Sequence, residues 1–365
     1  MKMTKAMELS LRTKELPWNE AIWDRIDRAV HHECKRTEVA SKFLPLHGPV
    51  DPNQTTVPSD TIIVSERANG ERSNKLQIDE AETTKLIELV VEFVLTQQQM
   101  EAEEELGTAV TLATRAANLL CQASDVVIFQ GQKAIDKGPD QHPLFRDRKV
   151  IARSGRANLG LLDAPEAPDN LNDLNNPQNP RESRHQQIVT VPSLGNGDSQ
   201  RRWGENTFAA VSKAYARLQS GDGLAQAHYG PYASILNFEP YADTYAPLPT
   251  TLIMPADRIA RLVTEGFYGM GYAMNGMGYG MNPSSEQGMQ VKSAGTHFYG
   301  TGTLPPLRGM LVSLGGNTMD LVVGINAKTE YLTQDKEGNY FFRVYKRFTL
   351  RLKDPSAVIR LEFDQ

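Results

Sequence analysis

The sequence predicts a mixed α+β protein, because three kinds of pattern coexist in one chain. An apolar repeat of helical period lies near the start, around WNEAIWDRIDRAV. Strict alternation of strand period runs through KLIELVVEFVLT and again through the C-terminal YFFRVYKRFTLRLK. Between the helical repeat and the first of these strands stands Asn69-Gly70, a pair that readily takes the positive φ values of a tight hairpin turn. At 365 residues the chain is long enough for one large or two ordinary domains with a sizeable core. Its net charge of −5, with both signs interspersed, gives no argument for a polyanion or a membrane surface as partner.

The elements follow in order. Residues 18–43 form an amphipathic helix, with Ile22, Ile26, Ala29 and Val30 on one side and Asp24, Arg25, Asp27 and Arg28 on the other. Residues 45–58 are Pro-rich and break it. TIIVSERANGERSNKLQI then reads as two arms joined at Asn69-Gly70. Both arms are polar on at least one face, so this hairpin lacks a core of its own and should project and pack on something else. In 85–96, Ile87, Leu89, Val91, Phe93 and Leu95 alternate with Glu88 and Glu92, which predicts a strand. Residues 97–124 follow as one long helix of ~40 Å, opened by the acidic EAEEE cluster, and DVVIFQG closes it as a short strand.

From Asp136 to about Arg202 the chain turns rich in proline and asparagine, as in APEAPDNLNDLNNPQNPRESRHQQ, and is expected to be an exposed insertion. Structure resumes with a helix in ENTFAAVSKAYARLQS, followed by SILNF, TLIMP, a helix start at Ala256, and strands around MLVSL and DLVVGI. At the end, Phe342, Val344, Phe348, Leu350 and Leu352 alternate against Arg343, Arg347, Arg351 and Lys353, giving a strand with one basic face.

Cys34 and Cys121 lie far apart in the sequence without CxxC spacing, which fits a reducing compartment and excludes a disulfide scaffold. No run approaches the ~20 apolar residues of a membrane span, so a soluble intracellular protein is expected.

In this order, WNEAIWDRIDRA, LIELVVEFVL, DVVIFQG with the following GLLD, HYGPYASILNFEPYA, DLVVGINAKTEYL and FRVYKRFTLRLKDPSAVIRLEF resemble the encapsulin shell proteins, the linocin-type family that shares the tailed-phage major capsid fold. HYGPY and the terminal KDPSAV strand are the most specific of these. The resemblance implies a subunit that assembles into a closed icosahedral cage and encloses a cargo protein, such as a dye-decolorising peroxidase or a ferritin-like protein carrying a C-terminal targeting peptide. It implies residues 1–52 as a luminal helix and the start of a peripheral domain, 53–80 as the extended hairpin loop and 81–135 as the peripheral domain with its spine helix. Residues 136–204 would then be the insertion, 205–314 the axial domain, and 315–365 strands returning to the peripheral domain. Cargo docking is expected on an inner apolar surface of Trp23, Ile26 and Val30 with Leu321 and Val323. A phage or prophage major capsid protein that packages DNA is the alternative.

FYGMGYAMNGMGYGMN, residues 267–282, alternates glycine, methionine and tyrosine without a charge. Met270, Met274, Met277 and Met281 have spacing that permits a soft-metal site, but no His or Cys lies among them and the glycines leave them unorganised. A flexible pore loop needs only copies that meet at an axis, so Tyr268, Met270, Tyr272, Met274, Met277, Tyr279 and Met281 are expected to line an opening. Adjacent His31 and His32 point about 100° apart on a helix and read as a polar face. His228 reads as a hydrogen-bonded turn residue. The basic C-terminal strand lacks the stacking aromatics of a nucleic-acid surface, Tyr345 apart, and reads as subunit contact or solvated. With no GxxxxGK[ST], GxSxG or HExxH, neither a catalytic constellation nor a cofactor or metal is expected.

Overall fold

The computed structural model describes residues 16, 18–63, 77–78, 82–166, 187–194, 202–221, 227–247, 253–270 and 303–364. Helix α1 (Glu20–Thr37) begins where the Asn19 side chain accepts the Ile22 amide at 3.0 Å, which satisfies one of the helix's orphan N–H groups. Its apolar stripe, Ile22, Trp23, Ile26 and Val30, is buried, while Asp24, Arg28, His31, His32 and Lys35 are exposed. The short helix α2 (Ala40–Phe43) and strand β1 (Leu46–His47) follow.

The hairpin has two tiers. Strand β2 (Thr56–Pro58) pairs antiparallel with the later Thr83–Lys85 strand, and β3 (Ile62–Ile63) pairs with β4 (Gln77–Ile78). The returning strand Thr83–Lys85 is β5, and it leads into β6 (Ile87–Leu95).

Here the expected single long helix is corrected. Residues 97–106 form two short helices, α3 (Gln97–Glu101) and α4 (Glu103–Leu106), and the spine is α5 (Thr108–Gln130). Gly107 breaks the run with φ +62°, a left-handed conformation that costs glycine little. The acidic cluster therefore lies ahead of the spine. Glu103 from it accepts the Ala109 amide at 2.6 Å and the Val110 amide at 3.3 Å, placing a carboxylate on the positive end of α5.

The second correction is DVVIFQ, which is helical to Gln130 rather than a strand. Every residue from Ser124 to Gln130 is buried, so the polar face that would reveal a helical period is missing and the β-branched run imitates a strand.

The expected insertion from Asp136 contains ordered parts: helix α6 (Pro143–Arg146), strand β7 (Ile151–Ser154), a 3₁₀ turn at Leu161–Glu166 and strand β8 (Ile188–Val191). Leu144, Phe145, Val150, Leu161 and Leu162 are buried, so this stretch is no mere exposed excursion. Then come α7 (Glu205–Ser220), β9 (Tyr232–Asn237), α8 (Phe238–Asp243), α9 (Pro255–Ala260), β10 (Gly266–Met270), β11 (Arg308–Ser313), β12 (Met319–Gln334), β13 (Tyr340–Leu352) and β14 (Val358–Phe363).

Two five-stranded sheets result, with orders β1-β12-β13-β6-β7 and β10-β9-β11-β14-β8. Strand β14 departs from the expected return of 315–365 to the first sheet, since it pairs with β11 and β8 in the second. Helices α1 and α5 cover one face of the first sheet. There Phe342 stacks on Trp18 at 5.2 Å and on Phe93 at 5.3 Å, in a core shared by Ile26, Val30, Leu89, Leu120, Val344 and Phe348. Each such side chain contributes about 1.5–3 kcal/mol on burial.

Candidate functional site

The alternation in β13 divides its side chains between two faces. Phe342, Val344, Phe348 and Leu350 point into the core under the helices. The opposite face carries Arg343, Arg347 and Arg351, and the register sets acids directly across from them: Glu330 and Glu92 beside Arg343, Glu88 beside Arg347, Asp320 beside Arg351. Arg343 Nε donates to Glu330 at 2.7 Å, and Arg347 Nη2 donates to Glu88 at 2.6 Å. Arg351 grips Asp320 with two bonds of 2.7 and 2.6 Å, and Lys353 Nζ lies 2.8 Å from the same carboxylate. The expected basic face is thus neutralised by cross-strand acids, not left free.

These arginines also reach the hairpin. Arg351 Nη1 donates to the Pro58 carbonyl at 3.2 Å and to Asp60 Oδ2 at 2.6 Å, and Arg347 Nη1 donates to the Pro52 carbonyl at 2.6 Å. Asp60 itself sits at φ +55°. On the other arm Glu82 closes the root: its carbonyl accepts the Ser59 amide at 3.0 Å and its carboxylate accepts Thr61 Oγ1 at 2.7 Å. Val57 packs with Leu86 and Val322 beneath. Beyond this root Ile78 on β4 is 56 % exposed. Burial pushes the Asp320 carboxyl up, but hydrogen bonds from Arg351 and Lys353 outweigh it and hold the group below the usual carboxylate range. The arrangement is mechanical: a charge network with three members nearly out of solvent fixes where the hairpin leaves the sheet.

The other sequence-predicted residues fall elsewhere. Trp23, Ile26, Val30, Leu321 and Val323 are brought together, yet at 8 % exposure or less they are core. They present no apolar docking surface, because the sheet and spine helix already occupy it. Tyr268 and Met270 belong to β10, not to a free loop. Met270 is buried, and Tyr268 lies against Phe43 at 5.6 Å while its hydroxyl donates to the Glu265 carbonyl at 2.7 Å. Tyr272, Met274, Met277, Tyr279 and Met281 lie outside the described residues, as do Asn69 and Gly70. His228 is a buried, hydrogen-bonded turn residue with Nε2 2.8 Å from Ser356 Oγ. Burial lowers its pKa against the opposing pull of Asp354.

Sequence reasoning missed Asp60, Glu82 and Asp320 at the root, and missed Lys346. Lys346 sits on the helix side of β13, 4 % exposed, paired with Glu38. Lysine at an otherwise apolar position of an alternating strand was the available signal.

Among the described residues no group of three or more His, Cys, Asp or Glu side chains is placed to hold a metal ion, and no helix is long and apolar enough to cross a membrane.

A family model described as "Encapsulating protein for peroxidase" matches residues 7–138. The type 1 encapsulin shell protein EncA of Myxococcus xanthus is 24 % identical over 355 residues, 95 % of this chain and 94 % of that protein. This chain is thus similar, over nearly its whole length, to an encapsulin shell protein. A diheme-cytochrome-encapsulin shell fusion protein of Kuenenia stuttgartiensis is 22 % identical over 356 residues, covering 96 % of this chain and 75 % of the fusion. Among solved structures, the virus-like particle from Pyrococcus furiosus aligns with TM-score 0.53 at 12 % identity, over 94 % of this chain and all of that one. The fold is accordingly an α+β, capsid-like fold similar to that particle's, and the matched 7–138 stretch holds α1, the hairpin, β6 and the spine.

Proposed function

We propose that the chain is the self-assembling subunit of a closed icosahedral compartment in the cytoplasm. It encloses a protein cargo, a dye-decolorising peroxidase or ferritin-like protein held by a C-terminal peptide, and admits small substrates through openings lined by Tyr272, Met274, Met277, Tyr279 and Met281. The observation that carries this reading is the hairpin. Its root is pinned to the first sheet by Arg351 and Arg347, while Ile78, beyond that root, is exposed. A feature anchored at its root, with an exposed apolar side chain beyond it, suits a contact with a neighbouring copy. The kinship with encapsulin shell proteins over nearly the whole chain supports the same reading. No catalytic role is proposed for the subunit.

Deleting Ser65 to Asn74 tests it. A folded subunit that no longer forms cages is expected in size-exclusion chromatography with light scattering, and full-size cages from the deleted chain would overturn the role given to the hairpin.

A further inference from the structure

One bend of the chain is held from two sides by buried ionisable groups. Between α1 and α2 the chain turns at Glu38 and Val39, and the Glu38 amide closes α1 on the Cys34 carbonyl at 2.9 Å. The Val39 and Ala40 amides that open α2 have no partner within that short helix. Asp125 on the spine accepts both, one on each carboxylate oxygen, at 2.9 and 3.0 Å. From the sheet, Lys346 on β13 pairs with the Glu38 carboxylate. Glu38, Asp125 and Lys346 are each 5 % exposed or less. Two carboxylates and one ammonium cannot all ionise there without leaving a net negative charge out of solvent, so the balanced state needs one added proton. Glu38 has the ammonium, whereas the bonds to Asp125 come from uncharged amides, so the proton belongs on Asp125. Burial first, and then Glu38, push its carboxyl up to about 7, against the opposing pull of the two amides and of Lys346. The thiols of Cys34 and Cys121 stand one turn before Glu38 and Asp125 on their own helices. On the outer side Glu33 pairs with Arg36, and Lys42 Nζ donates to the Arg36 carbonyl at 3.2 Å.

We propose that the bend between α1 and α2 is a proton-operated clasp, shut while Asp125 carries a proton and released from the spine and the sheet when that proton leaves. With Asp125 neutral, Glu38 and Lys346 balance each other and the bend stays closed. Loss of the proton puts an uncompensated charge into the core, and parting the bend relieves it by letting water reach the carboxylates. The folded carboxyl titrates above the ordinary 3.8 of the opened chain, so the clasp is complete in acid and weakens as pH rises through about 7. The body of α1 stays in place. Its stripe of Ile22, Trp23, Ile26 and Val30 is buried, and Asn118 on the spine donates to Glu33 at 2.6 Å and to Thr37 Oγ1 at 3.2 Å. The opening is therefore confined to the residues that follow these bonds.

Hydrogen–deuterium exchange of the full-length chain, read by mass spectrometry from about pH 5.5 to 8.5 and corrected for intrinsic exchange, tests the clasp. Protection of residues 38–44 is expected to hold up to about pH 7 and then to fall by up to about tenfold per pH unit, while residues 22–30 and the tail of α5 keep theirs. Glu38→Gln should move the fall to lower pH, because the opposing carboxylate is gone, and Asp125→Asn should abolish it. Cys121→Ala should leave it in place. Protection of 38–44 that is flat over this range, that falls toward acid, or that falls together with the rest of the first core would overturn the proposal, as would a fall that disappears with the Cys121 thiol. The first three outcomes are read on the unaltered chain, so the test stays decisive where a variant folds poorly.

Discussion

The two sheets are built from the same kinds of strand but hold their charges differently. The first, β1-β12-β13-β6-β7, has charged groups on both faces: Arg351, Lys353 and Asp320 toward the hairpin, and Lys346, Glu38 and Asp125 under the helices. The second, β10-β9-β11-β14-β8, packs Val189, Val191, Trp203, Val211, Leu218, Leu236, Leu311, Ile359, Leu361 and Phe363 into a core of hydrocarbon and aromatic rings. The difference separates two tasks. Apolar burial fixes a fold without saying where an appendage must leave it. Paired charges fix direction, because a guanidinium bonded to two partners admits few geometries. The first sheet carries the hairpin and the N-terminal helix, and it carries the more deeply buried pairs; in the second, Arg308 and Arg360 meet a half-buried Glu362.

The largest effect that sharpens this contrast comes from placing an unpaired charge in the apolar part of the first core. Ile26→Asp or Val30→Asp removes a fully buried side chain and strands a carboxylate there, so loss of the folded state is expected in circular dichroism and soluble yield. His31→Asp on the exposed face of the same helix should stay within about 0.5 kcal/mol in urea unfolding. A folded Ile26→Asp subunit with only its cargo lost would restore the docking surface that burial argues against.

Next in size are the paired charges. Arg351→Met leaves Asp320 with Lys353 alone and frees the hairpin root, a cost of about 3–5 kcal/mol. Lys346→Met should cost about as much by stranding Glu38. The double change Lys346→Met with Glu38→Met should recover most of that loss, since two apolar side chains replace a desolvated pair. Recovery absent from a double-mutant cycle would contradict the pairing.

In the core against the second sheet, Leu218→Ala on α7 should cost about 2–5 kcal/mol through the cavity it leaves, without any salt dependence. A salt-sensitive loss there would blur the division between the sheets.

The smallest effect is titration. Burial, and then the neighbouring Glu38, raise the Asp125 carboxyl from its ordinary 3.8 to about 7. The folded chain therefore holds a proton that the unfolded chain has released. Stability from this group is complete below about pH 4 and is lost as pH rises through 7, with a slope of up to about 1.4 kcal/mol per pH unit. Asp125→Asn should flatten that slope in denaturation midpoints taken from pH 5 to 8. Asp320, whose carboxyl is held low, acts with the opposite sign and loses its contribution only in acid.

What the sequence made legible follows from exposure. Helix α1 has one wet face, so its period of 3.6 survives in the residue pattern, and in β6 the period of 2 is carried by Glu88 and Glu92, which face Arg347 and Arg343. The tail of α5 has no wet face, and Val126, Val127 and Ile128 read as a strand although they are helical. The same reasoning places Trp23, Ile26 and Val30 on an apolar face correctly, but periodicity cannot tell a face that awaits a partner from one already covered by its own sheet. On the hairpin side of β13, Arg343, Arg347 and Arg351 are visible at period 2. Their partners depend on the register of β12 and β6, which is a tertiary fact.

The central claim is that this subunit closes into a shell through a hairpin anchored on the first sheet. Electron microscopy of the purified full-length chain tests it most directly. Closed icosahedral particles are expected, with the hairpin of each subunit lying on its neighbour and Ile78 inside that contact. Monomers or small open oligomers, or closed particles whose hairpins point into solvent with Ile78 uncovered, would contradict it.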